Sequence, residues 1–177
     1  MESNKIAKRR NVPSKVNVYM SMARIISKRS KDPNTQVGAI IVSQNDRILS
    51  VGYNGFPNNC SDDDFPWARH AEKESDTKYP YVVHAELNAI LNFRGDNKAL
   101  EGSTLYVTLF PCHECTKVII QSGISRIVYL EDKYEDTEDH YEACRMLKAA
   151  NVSLLEYDYM EKELIEIGES KPLSEVL

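Results

Sequence analysis

No stretch of the sequence approaches the roughly 18 consecutive apolar residues that a membrane-spanning helix requires, so no membrane partner is expected. The first twelve residues carry Lys5, Lys8, Arg9 and Arg10 with no apolar block after them, which argues against a secretory signal. Basic excess is also missing: 22 Lys and Arg stand against 27 Asp and Glu, a net charge of −5. So acidic a chain lacks the broad cationic face that polynucleotide backbones demand, although a few local donors suffice for one phosphate. Cysteine is scarce, four in 177 residues, which speaks against a disulfide framework and for a reducing, cytoplasmic setting. No internal repeat is visible in the sequence.

What remains is an ordinary globular balance, 42% hydrophobic and 28% charged, long enough to bury one substantial core. Residues 1–13 read as a flexible arm, 14–160 as a single domain and 161–177 as a tail, with a short helix after Met160 and then a frayed end. Val18, Met22, Ile25 and Ile26 fall at helical spacing, so a first helix is predicted over 14–30, stopped before Pro33. The apolar run 36–42 and the segment 47–54 form a predicted hairpin. A loop with no clear period follows over 55–83, long enough that a functional role is expected of it. Helices are then predicted at 84–93 (apolar stripe Leu87, Ile90, Leu91), 112–123 (closed by Gly123) and 136–150, with strands at 103–110, 125–130 and 152–157. Such alternation implies parallel crossovers. The expected fold class is α/β, a three-layer α/β/α sandwich around a five-stranded mixed sheet.

One cluster dominates the chemistry. His84-Ala85-Glu86 opens one predicted helix, and Pro111-Cys112-His113-Glu114-Cys115 opens another. Cys112 and Cys115 share one face of a helical turn, where the positive helix end favours thiolates. With one imidazole, for which His84 is the best candidate, they make three protein ligands for zinc and leave a fourth position open, the catalytic pattern. Glu86 stands where a carboxylate could contact bound water without binding the metal and carry its proton. Taken alone, the C-x-x-C pair is also compatible with a structural zinc site or a redox pair. The redox reading leaves the paired HAE segment unexplained. Cys144 fits a core position, and Cys60 and His70 do not complete a second site. His113 is expected to be exposed, and His140 has no evident partner.

H-x-E…P-C-x-x-C is the signature of zinc nucleobase deaminases. The surrounding segments RSKDPNTQVGAIIV (29–42), GYNGFPNNCSDD (52–63), PWAR (66–69), TKYPYVVHAELNAI (77–90), LYVTLFPCHEC (105–115) and DKY (132–134) are more specific. Together they resemble the deoxycytidylate deaminases of the zinc-dependent cytidine/deoxycytidylate deaminase family, over about residues 14–157. The resemblance implies a cytidine deaminase-like fold and hydrolytic deamination of dCMP to dUMP with release of ammonia, supplying dUMP for thymidylate synthesis. It implies catalytic Zn2+, one per chain, on His84, Cys112 and Cys115, with Glu86 as proton shuttle.

For the substrate, Asn54 resembles the sugar-contacting asparagine of related deaminases, with Ala85 beside it. Ser30, Lys31 and Asn34 form one candidate phosphate group and Lys133 and Tyr134 another. The resemblance also implies a homo-oligomer, a hexamer favoured, activated by dCTP and inhibited by dTTP, with Mg2+ on the triphosphate. That effector site is expected partly at Asn58, Asn59, Asp62, Asp63 and Asp64. Some phage members carry a second, structural zinc between the first helix and first strand. Here those positions are Lys31 and Asp32, so that site is not supported.

Three other functional classes are weighed against the sequence by what each requires. A deaminase acting on a base in tRNA or single-stranded DNA needs a basic, aromatic channel, which the composition does not offer. A non-catalytic nucleotide sensor would be expected to have lost Glu86, which is intact. Free cytidine or cytosine as substrate is disfavoured only through the DPNTQVG and PYVVHAE contexts.

Overall fold

A computed structural model describes residues 8–10 and 12–157; the predicted helix after Met160 lies outside them. Four helices, α1 (Lys15–Ser27), α2 (Ala85–Asn92), α3 (His113–Gln121) and α4 (Glu138–Ala149), surround five strands. The strands are β1 (Gly38–Val42), β2 (Ile48–Tyr53), β3 (Thr104–Leu109), β4 (Arg126–Glu131) and β5 (Ser153–Glu156). They form one sheet in the order β2-β1-β3-β4-β5. β1 runs antiparallel to both of its neighbours, whereas β3, β4 and β5 are mutually parallel, so the sheet is mixed as expected.

The central strand β1, GAIIV, is buried along its whole length, and its side chains alternate between two cores. Ile40 and Val42 meet Tyr19, Met20 and Ala23 of α1 on one face. Ala39 and Ile41 meet Ala85 and Ala89 of α2 on the other, continuous with Ile119 of α3 and Leu147 of α4. These are the three layers. Among the described residues, no helix is long and apolar enough to cross a membrane.

The buried helix faces differ from the predicted stripes, and two glycines show why. A β-carbon on Gly38 would lie 2.0 Å from the Ala23 carbonyl oxygen, and one on Gly52 would lie 2.3 Å from backbone atoms of both Ala85 and Ala89. Backbone approaches this close admit only small residues at the contact. The packed faces are therefore built on Ala23 and Ser27 in α1 and on Ala85 and Ala89 in α2, leaving Ile25 and Leu91 exposed. Large apolar residues mark these helices in sequence, but the small ones seat them.

The 55–83 segment is more ordered than its composition suggests. Gly55 and Val83 pair across its ends, and Glu74–Asp76 forms a short helical turn. Phe56 packs on Phe65 and Trp67, and Phe65 on Tyr81, with ring centroids 4.1–5.4 Å apart. The loop thus has a small aromatic core of its own, as compact Ω-type loops do.

Candidate active site

Two helix N-termini meet at the carboxyl end of β3. His84 occupies the cap position of α2 without capping it, because its imidazole turns towards α3. Cys112 caps α3, its sulfur accepting from the Cys115 backbone N–H at 3.5 Å. His84 Nδ1 lies 3.4 Å from both sulfurs, and all three donor atoms fall within 4.8 Å of one another.

This cluster fits zinc. Ordinary Zn–S and Zn–N bonds in a tetrahedron separate sulfur from nitrogen by about 3.6 Å, close to the distances found. The electrostatics suit it too. Hydrogen bonding from Cys115 and His84 holds the Cys112 thiol down at about 4, which makes it a thiolate at neutral pH. The Cys115 thiol is pushed up by its hydrogen bond to Cys112 and by burial. The Cys112 contact raises His84 to about 9 against the effect of burial.

Glu86, on the first turn of α2, is buried, and desolvation pushes its carboxyl above the ordinary glutamate range while His84 pulls the other way. A carboxyl raised in this way holds a proton more firmly than an exposed glutamate does. Glu86, His84, Ala85 and Cys112 line a cavity of about 320 Å³. Its wall includes Phe110 and Pro111 at the end of β3, and Asp132 and Tyr134 beyond β4. The carboxyl ends of parallel strands are where α/β sheets hold ligands.

Asn54 also lines the cavity, held on three sides. Its Oδ1 accepts from the Val37 backbone N–H at 2.8 Å. Its Nδ2 donates to the Thr35 carbonyl at 2.9 Å and to Asp32 Oδ2 at 3.4 Å. Both amide hydrogens are engaged, so the group has only acceptor capacity left. Of the candidate phosphate residues, Tyr134 reaches the cavity, whereas Ser30, Lys31, Asn34 and Lys133 are not among its lining. Lys31 pairs with Asp62, Lys133 with Glu131 at 2.8 Å, and the Asn34 side chain donates to the Trp67 carbonyl at 3.5 Å. Asn58, Asn59, Asp63 and Asp64 are exposed loop residues away from the cavity, Asn59 in a left-handed conformation.

The cavity instead presents two cations that the sequence reading missed, Lys78 and Arg69. Lys78 is buried and ion-paired with Asp32, which is also buried. Asp32 Oδ1 takes the backbone N–H groups of Asn34 (2.8 Å) and Thr35 (3.2 Å), a side-chain turn for which Asp before Pro-Asn is the sequence signal. Arg69 donates from Nε to the Tyr79 hydroxyl at 3.3 Å. Nothing in the period or composition of 55–83 singles out either cation. Two of the three other histidines also differ from expectation. His140 pairs with Asp132 at 2.8 Å and packs on Phe110, and His113, partly covered, is bound by Asp139.

An α/β/α frame that brings one imidazole and two thiols together beside a buried glutamate defines a metal-dependent hydrolase of the deaminase type. Residues 13–131 match the family model described as the cytidine and deoxycytidylate deaminase zinc-binding region. The chain is 49% identical over 139 residues to deoxycytidylate deaminase of Mus musculus, covering 78% of this chain and 77% of that one. It is 35% identical over 151 residues to deoxycytidylate deaminase of Enterobacteria phage T4, covering 66% and 78%. Among solved structures it is similar to the dCMP deaminase of cyanophage S-TIM5, crystallised with dCMP and dUMP. That likeness has 29% identity and a TM-score of 0.62 over 78% of this chain and 93% of that one. The chain therefore belongs to the cytidine and deoxycytidylate deaminase family.

Proposed function

We propose that the protein catalyses hydrolytic deamination of dCMP, adding water at C4 and releasing ammonia to give dUMP. The observation that carries this reading is the convergence, in one cavity, of the His84/Cys112/Cys115 cluster, the buried Glu86 and the cations Lys78 and Arg69. His84, Cys112 and Cys115 would hold one Zn2+, which when bound supplies Lewis-acid activation of water. Glu86 moves the protons: its carboxylate takes one from water and passes it to N3 of the cytosine, then takes a second from the hydroxyl now on C4 and delivers it to the amino group, so that the C–N bond breaks as the C4 carbonyl forms. Burial of Glu86 raises its affinity for the proton it takes up, as a general base requires.

Asn54 Oδ1 accepts from a sugar hydroxyl, the one kind of bond left to it. Lys78 Nζ, with one hydrogen directed to Asp32, offers its others to the 5′-phosphate, and Arg69 and Tyr134 close that end. The family likeness extends the reading to residues 14–160 as one deaminase domain and to a homo-oligomer, a hexamer favoured. It extends also to activation by dCTP with Mg2+ and inhibition by dTTP, with the loop around Asn58, Asn59 and Asp62 to Asp64 as the effector region.

Ammonia release from dCMP, deoxycytidine and CMP, measured in parallel for wild type and Glu86→Gln with and without dCTP and Mg2+, tests the reading. Turnover of dCMP that is lost in Glu86→Gln while zinc is retained is expected. Failure on all three monomers overturns it, and a dCMP saturation curve that is hyperbolic and indifferent to both triphosphates removes the regulatory part.

A further inference from the structure

Asp139 sits in the first turn of α4, yet its carboxylate is turned onto the start of α3. One oxygen accepts from the backbone N–H of His113 at 3.4 Å, and the other binds His113 Nδ1. His113 directly follows Cys112. The amides of α3's first turn are thus shared between two anions: the Cys112 sulfur takes the N–H of Cys115, and Asp139 takes that of His113. The same carboxylate lies at the positive ends of two helices, its own and α3, so its favourable location is overdetermined. On the next residue of α4, His140 binds Asp132 where β4 gives way to the cavity wall. α4 therefore grips the two elements flanking the site through consecutive side chains.

We infer that Asp139, acting through His113, is a positioning residue for the metal centre: it fixes the rotation and entry of α3 so that the sulfurs of Cys112 and Cys115 stay set against His84. This rests on the zinc reading above. Neither residue belongs to the three-donor cluster, and because Asp139 also lines the cavity, Asp139→Asn separates its hydrogen bonds to α3 from its charge. Outer-shell partners of this kind change metal affinity by about 10–100-fold when removed.

The test is zinc content and the rate of zinc transfer to a colorimetric chelator, for wild type, Asp139→Ala, Asp139→Asn, His113→Ala and the double alanine variant. Melting curves of the metal-free forms run alongside. Asp139→Ala is expected to lose zinc about 10–100-fold faster and His113→Ala by less, because the backbone N–H at 113 still reaches Asp139, and the double variant is expected to be no worse than Asp139→Ala. Asp139→Asn retains an oxygen for the His113 amide and a side-chain nitrogen for the ring, and is expected to recover most of the retention. Zinc release unchanged within twofold in both alanine variants overturns the inference. Additive losses overturn it as well, as does faster release fully matched by a fall in metal-free stability, which marks a merely structural clamp. Absence of zinc from wild type is a separate result: it refutes the zinc reading itself and the inference with it.

Discussion

Replacing Lys78 with methionine removes a buried cation while keeping the length of the side chain. In the pair, 1% of the Asp32 side chain and 8% of the Lys78 side chain are exposed. Breaking a buried pair from one side costs about 3–5 kcal/mol, because the other charge stays behind. Asp32 would still accept from Asn34 N, Thr35 N and Asn54 Nδ2, so the low end applies, about 3 kcal/mol. For a chain of this size that corresponds to a fall in Tm of about 6–12 °C. Lys78→Met with Asp32→Asn should recover part of the loss, since a neutral amide no longer demands a cation. The same substitution reads the functional claim. A charge-assisted bond to phosphate contributes about 1.5–3 kcal/mol, so KM for dCMP should rise about 10–150-fold while turnover of deoxycytidine stays near its wild-type level. Urea melts and ammonia-release kinetics at a temperature where both proteins are folded supply the two numbers. A stability loss under 1 kcal/mol would refute the electrostatic argument, and equal losses on nucleotide and nucleoside would refute the phosphate assignment.

Glu86→Gln should lower kcat by at least 10²-fold, the scale of one positioned acid-base group, as read by ammonia release. It should also raise the Tm of the metal-free protein at neutral pH. The folded-state pKa of Glu86 lies above its unfolded value, so ionisation costs stability as pH rises past about 4, and the variant's advantage should vanish on acidification below that point. In chelator-stripped protein, iodoacetamide should modify Cys112 ahead of Cys115, at a rate nearly flat between pH 6 and 8, because a thiol held at about 4 is already ionised there. Mass spectrometry reads the site, and a rate climbing tenfold per pH unit would contradict the assignment. Gly52→Ala should cost about 1–3 kcal/mol and depress kcat/KM, because its methyl meets the backbone of the helix that begins beside His84 and carries Glu86. Thermal melts and dCMP kinetics check both effects.

The parts of the site that a local pattern encodes were legible in the sequence. Cys112 and Cys115 lie on one helical turn, and His84 and Glu86 at the start of another, so spacing alone narrows their chemistry. The order of strands and helices was legible for the same reason: β-branched runs such as GAIIV and helices closed by a residue such as Gly123, at φ +78°, are local events. Helix seating was not, because it turns on Gly38 and Gly52, whose partners lie far away in the chain and whose contribution is the absence of a side chain.

The charge end of the cavity shows the same limit more sharply. Lys31 and Lys133 stood close to recognisable motifs, and both were taken by surface carboxylates, Asp62 and Glu131. The cation that reaches the cavity is Lys78, and what distinguishes it is Asp32, 46 residues away. A lysine beside a motif has many solvated positions open to it and only a small ion-pair gain to hold any one of them. A lysine committed to a buried carboxylate has one, because leaving that charge unpaired costs several kcal/mol. Asp32 is in turn fixed by Asn54 and by two backbone amides. The direction of Lys78 is therefore set by a chain of hydrogen bonds that starts at the end of β2, passes through the loop after α1 and ends in the loop before α2. No window along the sequence contains that chain. It follows that Asn54→Ala should disturb Lys78 as well as the sugar contact, raising KM for dCMP more than for deoxycytidine. If the two substrates suffer alike, Asn54 acts on the sugar alone and the coupling through Asp32 is wrong.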